Sequence, residues 1–195
     1  MKIHNHVVFP SIITETHCDL YHYIRDDLID WIYKYQRTSE SVHKSNRGGW
    51  QSPSDFHTLE SFSEFKNYIW NNTFETLAHY KRRFELDNMW ININGKGHYN
   101  ISHNHPNCLM SGVFWVKAPE NCGKLIFQNP HSFAEGWLIE SADVDVKKRL
   151  NYHHTFEFTP QEGTLVMFPS HLMHSVESNE SDEDRISIAF NLQLQ

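Results

Sequence analysis

Near its end the chain reads Arg185-Ile186-Ser187-Ile188-Ala189-Phe190-Asn191-Leu192. Large apolar side chains alternate here with polar or small ones, and successive side chains of a β-strand point to opposite faces. The apolar set therefore predicts one face of a strand that packs in a core. The opposite face carries an arginine, a serine and an asparagine on a strand that is otherwise buried, which predicts that this face lines a pocket.

Seven more short runs rich in β-branched and aromatic residues precede this one, and turn residues separate them. They are Asn88–Asn94, Tyr99–Ser102, Leu109–Val116, Lys124–Phe127, His154–Phe158, Thr164–Phe168 and His174–Glu177. We predict hairpin turns at Asn121-Cys122-Gly123 and at Gln161-Glu162-Gly163. Eight short strands broken by such turns favour a β-sandwich or small barrel over residues 87–195.

Residues 1–86 predict a mostly helical support for this β core. Apolar side chains from Leu20 to Tyr35 recur at spacings of three and four, which predicts an amphipathic helix capped by Thr16. A second helix is predicted from a capping box at Ser61 and Glu64 to about Phe84.

Two further segments complete the first half of the chain. Val7–Thr14 is a β-branched run broken by Pro10, which suits an edge strand. Arg37–His57 is polar and contains Gly48-Gly49-Trp50, and a connection of this length in a compact domain is often functional. We leave open whether it is a lid over a substrate or a plain connection held by packing of Trp50.

Length and composition narrow the class of protein. The 195 residues suit one domain, and 39% hydrophobic with 21% charged residues is an ordinary globular balance. The net charge of −7 argues against binding to duplex nucleic acid. The sequence has no apolar run long enough for a membrane span and no secretory signal pattern, and its three cysteines (Cys18, Cys108, Cys122) lack paired spacing. We therefore expect a cytoplasmic protein with no membrane partner.

Histidine is unusually abundant in this chain, with 15 residues. In His103-Asn104-His105-Pro106 the two imidazoles stand two positions apart, so an extended segment points both to the same side. Imidazole nitrogen is a ligand for Fe(II), Zn(II) and Ni(II), but two ligands rarely hold a catalytic metal. His174, on the strand that follows the turn at Pro169, is the third candidate.

Arg185 is the candidate anion site on the polar face of the last strand. A guanidinium forks onto a carboxylate through two parallel hydrogen bonds, and Ser187 on the same face adds a hydroxyl donor. The alternative is a surface arginine paired with Asp182 or Asp184.

In this order, these motifs resemble the 2-oxoglutarate- and Fe(II)-dependent oxygenases, in particular a group of small members of which many are uncharacterised. The resemblance covers Trp90–Leu192 and rests on the His-X-His motif, His174 and four strand motifs. The strand motifs are Ser111-Gly112-Val113-Phe114-Trp115, Gly123-Lys124-Leu125-Ile126-Phe127, Gly163–Ser170 and Arg185–Asn191. Gly48–Ser52 is similar to that group as well.

The resemblance implies a mainly β fold with N-terminal helices: a double-stranded β-helix (jelly roll) flanked by two or three α-helices. It implies Fe(II) held by His103, His105 and His174, with 2-oxoglutarate chelating the iron. Arg185 and Ser187 would bind the distal carboxylate of this cosubstrate. The implied reaction uses O2, releases succinate and CO2, and hydroxylates a substrate that the sequence does not identify.

One position departs from the family pattern. Most members carry Asp or Glu where this chain has His105, which gives two histidines and one carboxylate. Three neutral imidazoles still leave three coordination positions open. No acidic residue lies between Asp87 and Glu120 to take the place of His105, so we keep it as the third ligand.

Other residues have lesser roles in this interpretation. Asn92 is expected to hydrogen-bond the cosubstrate, and Tyr99, Trp115 and Asn191 are expected to line the substrate pocket. Two rival functions stay open: a cupin-type dioxygenase with three histidines and no 2-oxoglutarate, and a jelly-roll binding module without activity. A homodimer paired through an edge strand also stays open.

Overall fold

The computed structural model describes residues 10–78 and 80–195. The α-helices in these ranges are α1 (Tyr21–Gln36), α2 (Ser63–Thr76), α3 (Ser132–Ser141) and α4 (Val144–Leu150). The strands are β1 (Thr14–His17), β2 (Asn46–Arg47), β3 (Trp50–Gln51), β4 (Phe84–Asn94), β5 (Tyr99–His103), β6 (Met110–Lys117), β7 (Leu125–Gln128), β8 (Thr155–Phe158), β9 (Thr164–Pro169), β10 (His174–Val176) and β11 (Arg185–Leu194). All of the predicted strands of residues 87–195 are present, so the prediction of a mainly β protein is confirmed.

The strands form two sheets in which every neighbour is antiparallel. The first sheet has six strands in the order β1-β9-β6-β11-β4-β3, and the second has five in the order β2-β5-β10-β7-β8. The longest pairing joins β4 to β11 over their whole length, from Arg185 opposite Asn94 to Leu194 opposite Phe84. Three short strands of the N-terminal half therefore form sheet edges. Strand β2 lies at one edge of the five-stranded sheet, and β1 and β3 lie at the two edges of the six-stranded sheet.

The six-stranded sheet has an apolar cluster on each face. On β11, Ile186, Ile188 and Phe190 are fully buried and belong to the cluster that includes the inner faces of α1 and α2. The opposite face contributes Trp115 to a second cluster with Phe127 of the five-stranded sheet. The alternation predicted for Arg185–Leu192 is confirmed, since its apolar side chains pack on the helical side.

Both predicted hairpin turns are wrong. Asn121-Cys122-Gly123 connects β6 of the six-stranded sheet to β7 of the other sheet, and Gln161-Glu162-Gly163 connects β8 back to β9. The turn chemistry itself is present, because Asn121 and Gly123 have positive φ angles of 60° and 85°. A turn motif does not determine whether the strand after the turn pairs with the strand before it or belongs to the facing sheet. At both of these turns the chain crosses to the facing sheet.

Both predicted helices form, but neither has the predicted cap. Thr16 belongs to β1, and α1 begins after Leu20, whose left-handed backbone (φ 63°) turns the chain into the helix. Ser61 lies in a short 3₁₀ turn ahead of α2, so Ser61 and Glu64 do not form a capping box.

The second helix is also shorter than predicted. It ends at Thr76, whereas the spacing of apolar residues predicted its end near Phe84. Phe84 instead begins β4 opposite Leu194, so strand pairing between distant parts of the chain overrides the local helical spacing.

The edge strand predicted at Val7–Thr14 falls partly outside the described residues, which begin at residue 10. The strand observed is β1, which starts at Thr14 and pairs with β9 at the edge of the six-stranded sheet. The edge position is therefore as predicted, and the boundaries are shifted along the chain.

Arg37–His57 contains β2 and β3, which belong to different sheets. Gly48 and Gly49 form the turn between them with φ angles of 69° and 70°. Trp50 is buried, and its indole N–H donates to the carbonyl of Ser39 over 3.3 Å. The segment is thus a connection held by packing of Trp50, and its role as a lid stays a hypothesis.

The helices α3 and α4 were not predicted. Both lie in the segment between β7 and β8. Phe133 and Trp137 of α3 are almost fully exposed, so the apolar side chains of this helix do not mark an inward face. Without one apolar stripe the sequence has no helical period to detect.

The structure also bears on the expectations about membrane spans and cysteine pairing. None of the helices in the described residues is long and apolar enough to cross a membrane. The three cysteines are free thiols, as their spacing predicted.

Gly112 of β6 provides a test of the packing between β6 and its neighbours β9 and β11. A Cβ at this position would lie within 2.6 Å of both the Phe190 ring and the Met167 sulfur, two side chains of the core. We expect Gly112→Ala to lower the free energy of unfolding by about 1–3 kcal/mol, the usual cost of overpacking. The control is Gly136→Ala in α3, where the nearest side-chain atom is 3.9 Å away, and where alanine is expected to stabilise by about 0.5–1 kcal/mol. Urea titration of both variants measures the difference, and equal stabilities would contradict the packing described for β6.

Candidate active site

Three histidines meet between the two sheets. His103, at the end of β5, lies directly opposite His174, at the start of β10. His105 follows β5 outside any strand, and its backbone N–H donates to the Ser170 carbonyl over 3.0 Å. Ring centroids are 4.4 Å apart for His103 and His174, and 5.1 Å apart for each of the other two pairs.

Backbone carbonyls fix the ring orientation of two of these histidines. Nδ1 of His103 lies 2.7 Å from the Ile101 carbonyl, and Nδ1 of His174 lies 2.9 Å from the Leu172 carbonyl. A carbonyl oxygen only accepts, so Nδ1 carries the proton in both rings. This leaves Nε2 with its lone pair, which is the state that a metal ion requires.

The three rings are held neutral. Burial, then the neighbouring His103, lowers the pKa of His174 to about 4, against the opposing effect of the Leu172 carbonyl. Burial, then His174 and His103, lowers the pKa of His105 to about 3. Burial also lowers the pKa of His103, against the opposing effect of the Ile101 carbonyl. Neutral imidazole is the ligand form, so the site is ready for a metal at neutral pH.

No carboxylate joins this group in the described residues. The three histidines each offer one ligand atom, and these atoms lie within 4.8 Å of one another. His105 is therefore the third member of this group, and its role as a ligand stays a prediction. A set of three neutral ligands leaves the whole charge of a bound cation available to anionic partners.

Arg185 is buried in the same cavity, at only 1% exposure. Its Nη1 donates to the carbonyls of Cys122 and Glu177, while its Nη2 is buried without a partner among the described residues. Burial lowers the pKa of Arg185 to about 10, so the group stays charged at neutral pH. No carboxylate of the described chain lies within 4 Å of it as an ion-pair partner.

The alternative interpretation of Arg185 as a surface residue is wrong. Asp182 pairs with Lys96 at 2.7 Å, and Asp184 accepts a hydrogen bond from Tyr33 at 2.8 Å. A buried charge without a counter-ion is costly, so the arrangement calls for an anion from outside the chain.

The cavity brings together most of the residues predicted from sequence. Its walls include the three histidines, Arg185, Ser187, Asn92 and Trp115. Asn92 is directly opposite Ser187 on the neighbouring strand, and its Oδ1 is buried without a partner in the described chain. The polar face of β11 therefore lines a pocket, as the alternation predicted.

Two predicted pocket residues are not among those that line this cavity. Tyr99 is 42% exposed at the start of β5. Asn191 is buried, but it accepts from Ser111 at 2.7 Å and donates to Asn88 at 2.9 Å. The bulge in β11 next to Asn191 and this polar network place its side chain in the packing between strands.

Sequence reasoning missed two polar residues of the wall. Ser45, from the connection before β2, and Asn100, from β5, both line the cavity, and the Asn100 amide donates to the Ser45 hydroxyl over 3.1 Å. Only the pairing of β2 with β5 brings them together, and no local motif signals it. A separate, more open groove along α2 and β4, lined by residues such as Lys66 and Trp70, lacks the three-histidine group.

The donor set fits a metal ion and an anionic cosubstrate. Three neutral imidazoles suit a divalent transition metal. Next to them, Arg185 Nη2 and the Trp115 indole nitrogen are buried donor atoms without partners in the described chain. An anion that chelates the metal and extends to these donors satisfies both groups at once.

A mainly β fold with this three-histidine cavity defines a candidate non-haem metal oxygenase. The family model described as "Putative 2OG-Fe(II) oxygenase" matches residues 88–191. The chain belongs to this family of 2-oxoglutarate- and Fe(II)-dependent oxygenases, whose cofactors are Fe(II) and 2-oxoglutarate. A search of curated proteins found no match.

Several solved structures share the fold at low sequence identity. A viral collagen prolyl hydroxylase from Paramecium Bursaria Chlorella virus-1, in a 2-oxoglutarate complex, is 16% identical with a TM-score of 0.61, covering 92% of this chain and 94% of that one. A Pseudomonas putida prolyl-4-hydroxylase is 13% identical with a TM-score of 0.61, covering 94% and 92%. HygX from Streptomyces hygroscopicus, with nickel and 2-oxoglutarate bound, is 8% identical with a TM-score of 0.63, covering 92% and 82%.

Proposed function

We propose that this chain is a hydroxylase that uses Fe(II), 2-oxoglutarate and O2, built as one domain on a double-stranded β-helix. The observation that carries the proposal is the cavity in which Arg185, buried and without a counter-ion, accompanies three neutral histidines. Two facing antiparallel sheets, and a fold like those of known oxygenases, support the jelly-roll architecture. Two prolyl hydroxylases among the similar structures support the hydroxylase class.

In this proposal the residues that line the cavity form two groups, one that binds the metal and one that binds the cosubstrate. His103, His105 and His174 hold the iron, and Arg185, Ser187 and Asn92 bind 2-oxoglutarate. The bound iron and cosubstrate would supply the oxidative chemistry, in which O2, 2-oxoglutarate and a substrate C–H bond give succinate, CO2 and a C–OH group.

The residues of the chain supply position and a dry environment. Arg185 attracts a carboxylate more strongly in this buried cavity than it would in water. The Trp90 ring lies 5.4 Å from that of His105, and Val113 and Leu125 add apolar wall. These groups border the space beside the histidines with apolar surface, which reduces its contact with water.

The two rival functions each leave an observation without a role. A cupin-type dioxygenase without 2-oxoglutarate has no use for a buried arginine beside the metal. A binding module has no need of three rings whose tautomers and neutral state suit a metal. The proposed function accounts for both features together.

A spectroscopic and product assay tests the proposal. Anaerobic addition of Fe(II) and 2-oxoglutarate to the protein is expected to give a broad visible charge-transfer band. Admission of O2 is then expected to bleach the band while succinate forms in equal amount to the 2-oxoglutarate consumed. Zn(II), which has no redox chemistry, serves as the control and should give neither signal. Absence of the band would favour the binding module, and oxygen uptake without succinate would favour the cupin-type enzyme.

A further inference from the structure

The indole N–H of Trp115 is a buried donor without an acceptor. Trp115 is 1% exposed, and its Nε1 has no hydrogen-bond partner among the described residues. An indole nitrogen can only donate, and a buried donor that stays unpaired is destabilising. Most buried tryptophans place this group where a partner can be reached. Trp50 does so in this protein, since its indole donates to the Ser39 carbonyl.

The strand register places this donor beside the cosubstrate residues. Trp115 on β6 is directly opposite Ser187 on β11. Arg185 stands two positions along the same face of β11, and its Nη2 is also buried without a partner. All three side chains line the cavity that contains the histidines. Three donors on one part of the wall match the several lone pairs of one carboxylate.

We propose that Trp115 is a cosubstrate-binding residue whose indole N–H donates to the distal carboxylate of 2-oxoglutarate, together with Arg185 and Ser187. This rests on the proposed function, and it moves Trp115 from the substrate pocket to the cosubstrate site. Trp115 then contributes to the choice of a 2-oxo acid that carries a second carboxylate. A 2-oxo acid without that group, such as 2-oxobutyrate, leaves the donor unpaired.

Nuclear magnetic resonance tests the hydrogen bond directly. Zn(II)-loaded, ¹⁵N-labelled protein shows separate indole signals, and that of Trp115 is assigned through its backbone. Addition of 2-oxoglutarate is expected to move this indole proton downfield, as hydrogen bonding to an anion does. Addition of 2-oxobutyrate is expected to leave the signal near its starting position.

Affinity measurements give a second readout. Trp115→Phe is expected to weaken 2-oxoglutarate binding about 10- to 100-fold, the loss of one hydrogen bond to a charged group. Its affinity for 2-oxobutyrate should stay roughly unchanged, so the preference for the dicarboxylate falls by the same factor. The control is Trp50→Phe, which removes a buried indole outside the cavity and should keep the wild-type preference.

The outcomes separate the two proposals. A downfield shift specific to 2-oxoglutarate, with a reduced preference in Trp115→Phe, supports the inference. If wild-type protein binds 2-oxoglutarate while the Trp115 indole signal stays fixed, the inference is overturned and the proposed function stands. If the metal-loaded wild-type protein does not bind 2-oxoglutarate, both fail. The signal of the wild-type protein decides the matter even if the variant does not fold.

Discussion

His174→Ala is expected to abolish metal binding and 2-oxoglutarate turnover together. His174 is the most deeply buried of the three histidines, and the Leu172 carbonyl fixes its ring. Loss of a group that merely holds a ligand in place costs roughly 10- to 100-fold in metal affinity. Loss of the ligand itself should therefore exceed about 100-fold. Titration of the protein with Co(II) or Fe(II), followed by absorbance, measures the change.

His171→Ala is the matched control for this experiment. His171 lies in the same turn, three positions earlier, but its side chain is exposed. This variant should bind metal like the wild-type protein. Equal metal affinities for the two variants would contradict the assignment of His174 as a ligand.

His105 allows a test of the departure from the family pattern. His105→Asp is expected to keep metal binding, because a carboxylate is the usual residue at this position of the motif. His105→Ala is expected to lose it, as His174→Ala does. Wild-type affinity in His105→Ala would show that a different group completes the site.

Arg185→Met is expected to remove 2-oxoglutarate binding while metal binding persists. Arg185 can offer a carboxylate two charge-assisted hydrogen bonds, each worth about 1.5–3 kcal/mol. Their loss corresponds to an increase in Kd of about 100- to 10,000-fold. Methionine retains the length and apolar volume of the side chain. The Cys122 and Glu177 carbonyls lose their donor, but the cavity contains no acid that would be left without a partner.

Thermal unfolding with added ligand measures this effect without any turnover. Wild-type protein, loaded with Zn(II), should gain about 2.7 kcal/mol of stability at a 2-oxoglutarate concentration of 100 Kd. The Arg185→Met variant should show no such gain at the same concentration. Arg25→Met is the control, because the Arg25 guanidinium lies outside the cavity. It donates two hydrogen bonds, of 2.7 and 3.0 Å, to the Glu162 carboxylate. A full gain in Arg185→Met would refute the anion site.

Much of the fold was predictable because its elements carry local signals. The strands of residues 87–195 alternate or form short apolar runs, and α1 has a clear apolar stripe. The helix α3 lacks such a stripe, since its Phe133 and Trp137 face solvent, and α4 has no buried residue. The predicted hairpins failed because a turn sets the direction of the chain over a few residues only. Whether the next strand pairs or crosses depends on which apolar faces meet.

The residues of the candidate site also divide into those that the sequence predicted and those that it did not. His103, His105, His174, Arg185, Ser187 and Asn92 were named from spacing and from strand faces, and the structure brings them to one cavity. Tyr99 and Asn191 were named on the same grounds but are not among its lining residues. Ser45 and Asn100 could not be found, because only the pairing of β2 with β5 places them there.

The sequence by itself determined which residue types stand on the polar and apolar faces of β11 and which histidines share a side. These properties follow from the two-residue period of an extended chain, so they need no knowledge of neighbours. Only the tertiary structure decided that His174 lies opposite His103, and that Arg185 and Trp115 are buried with donors that nothing in the described chain satisfies. Burial and partners depend on contacts between residues far apart in the chain, and the local pattern does not encode them.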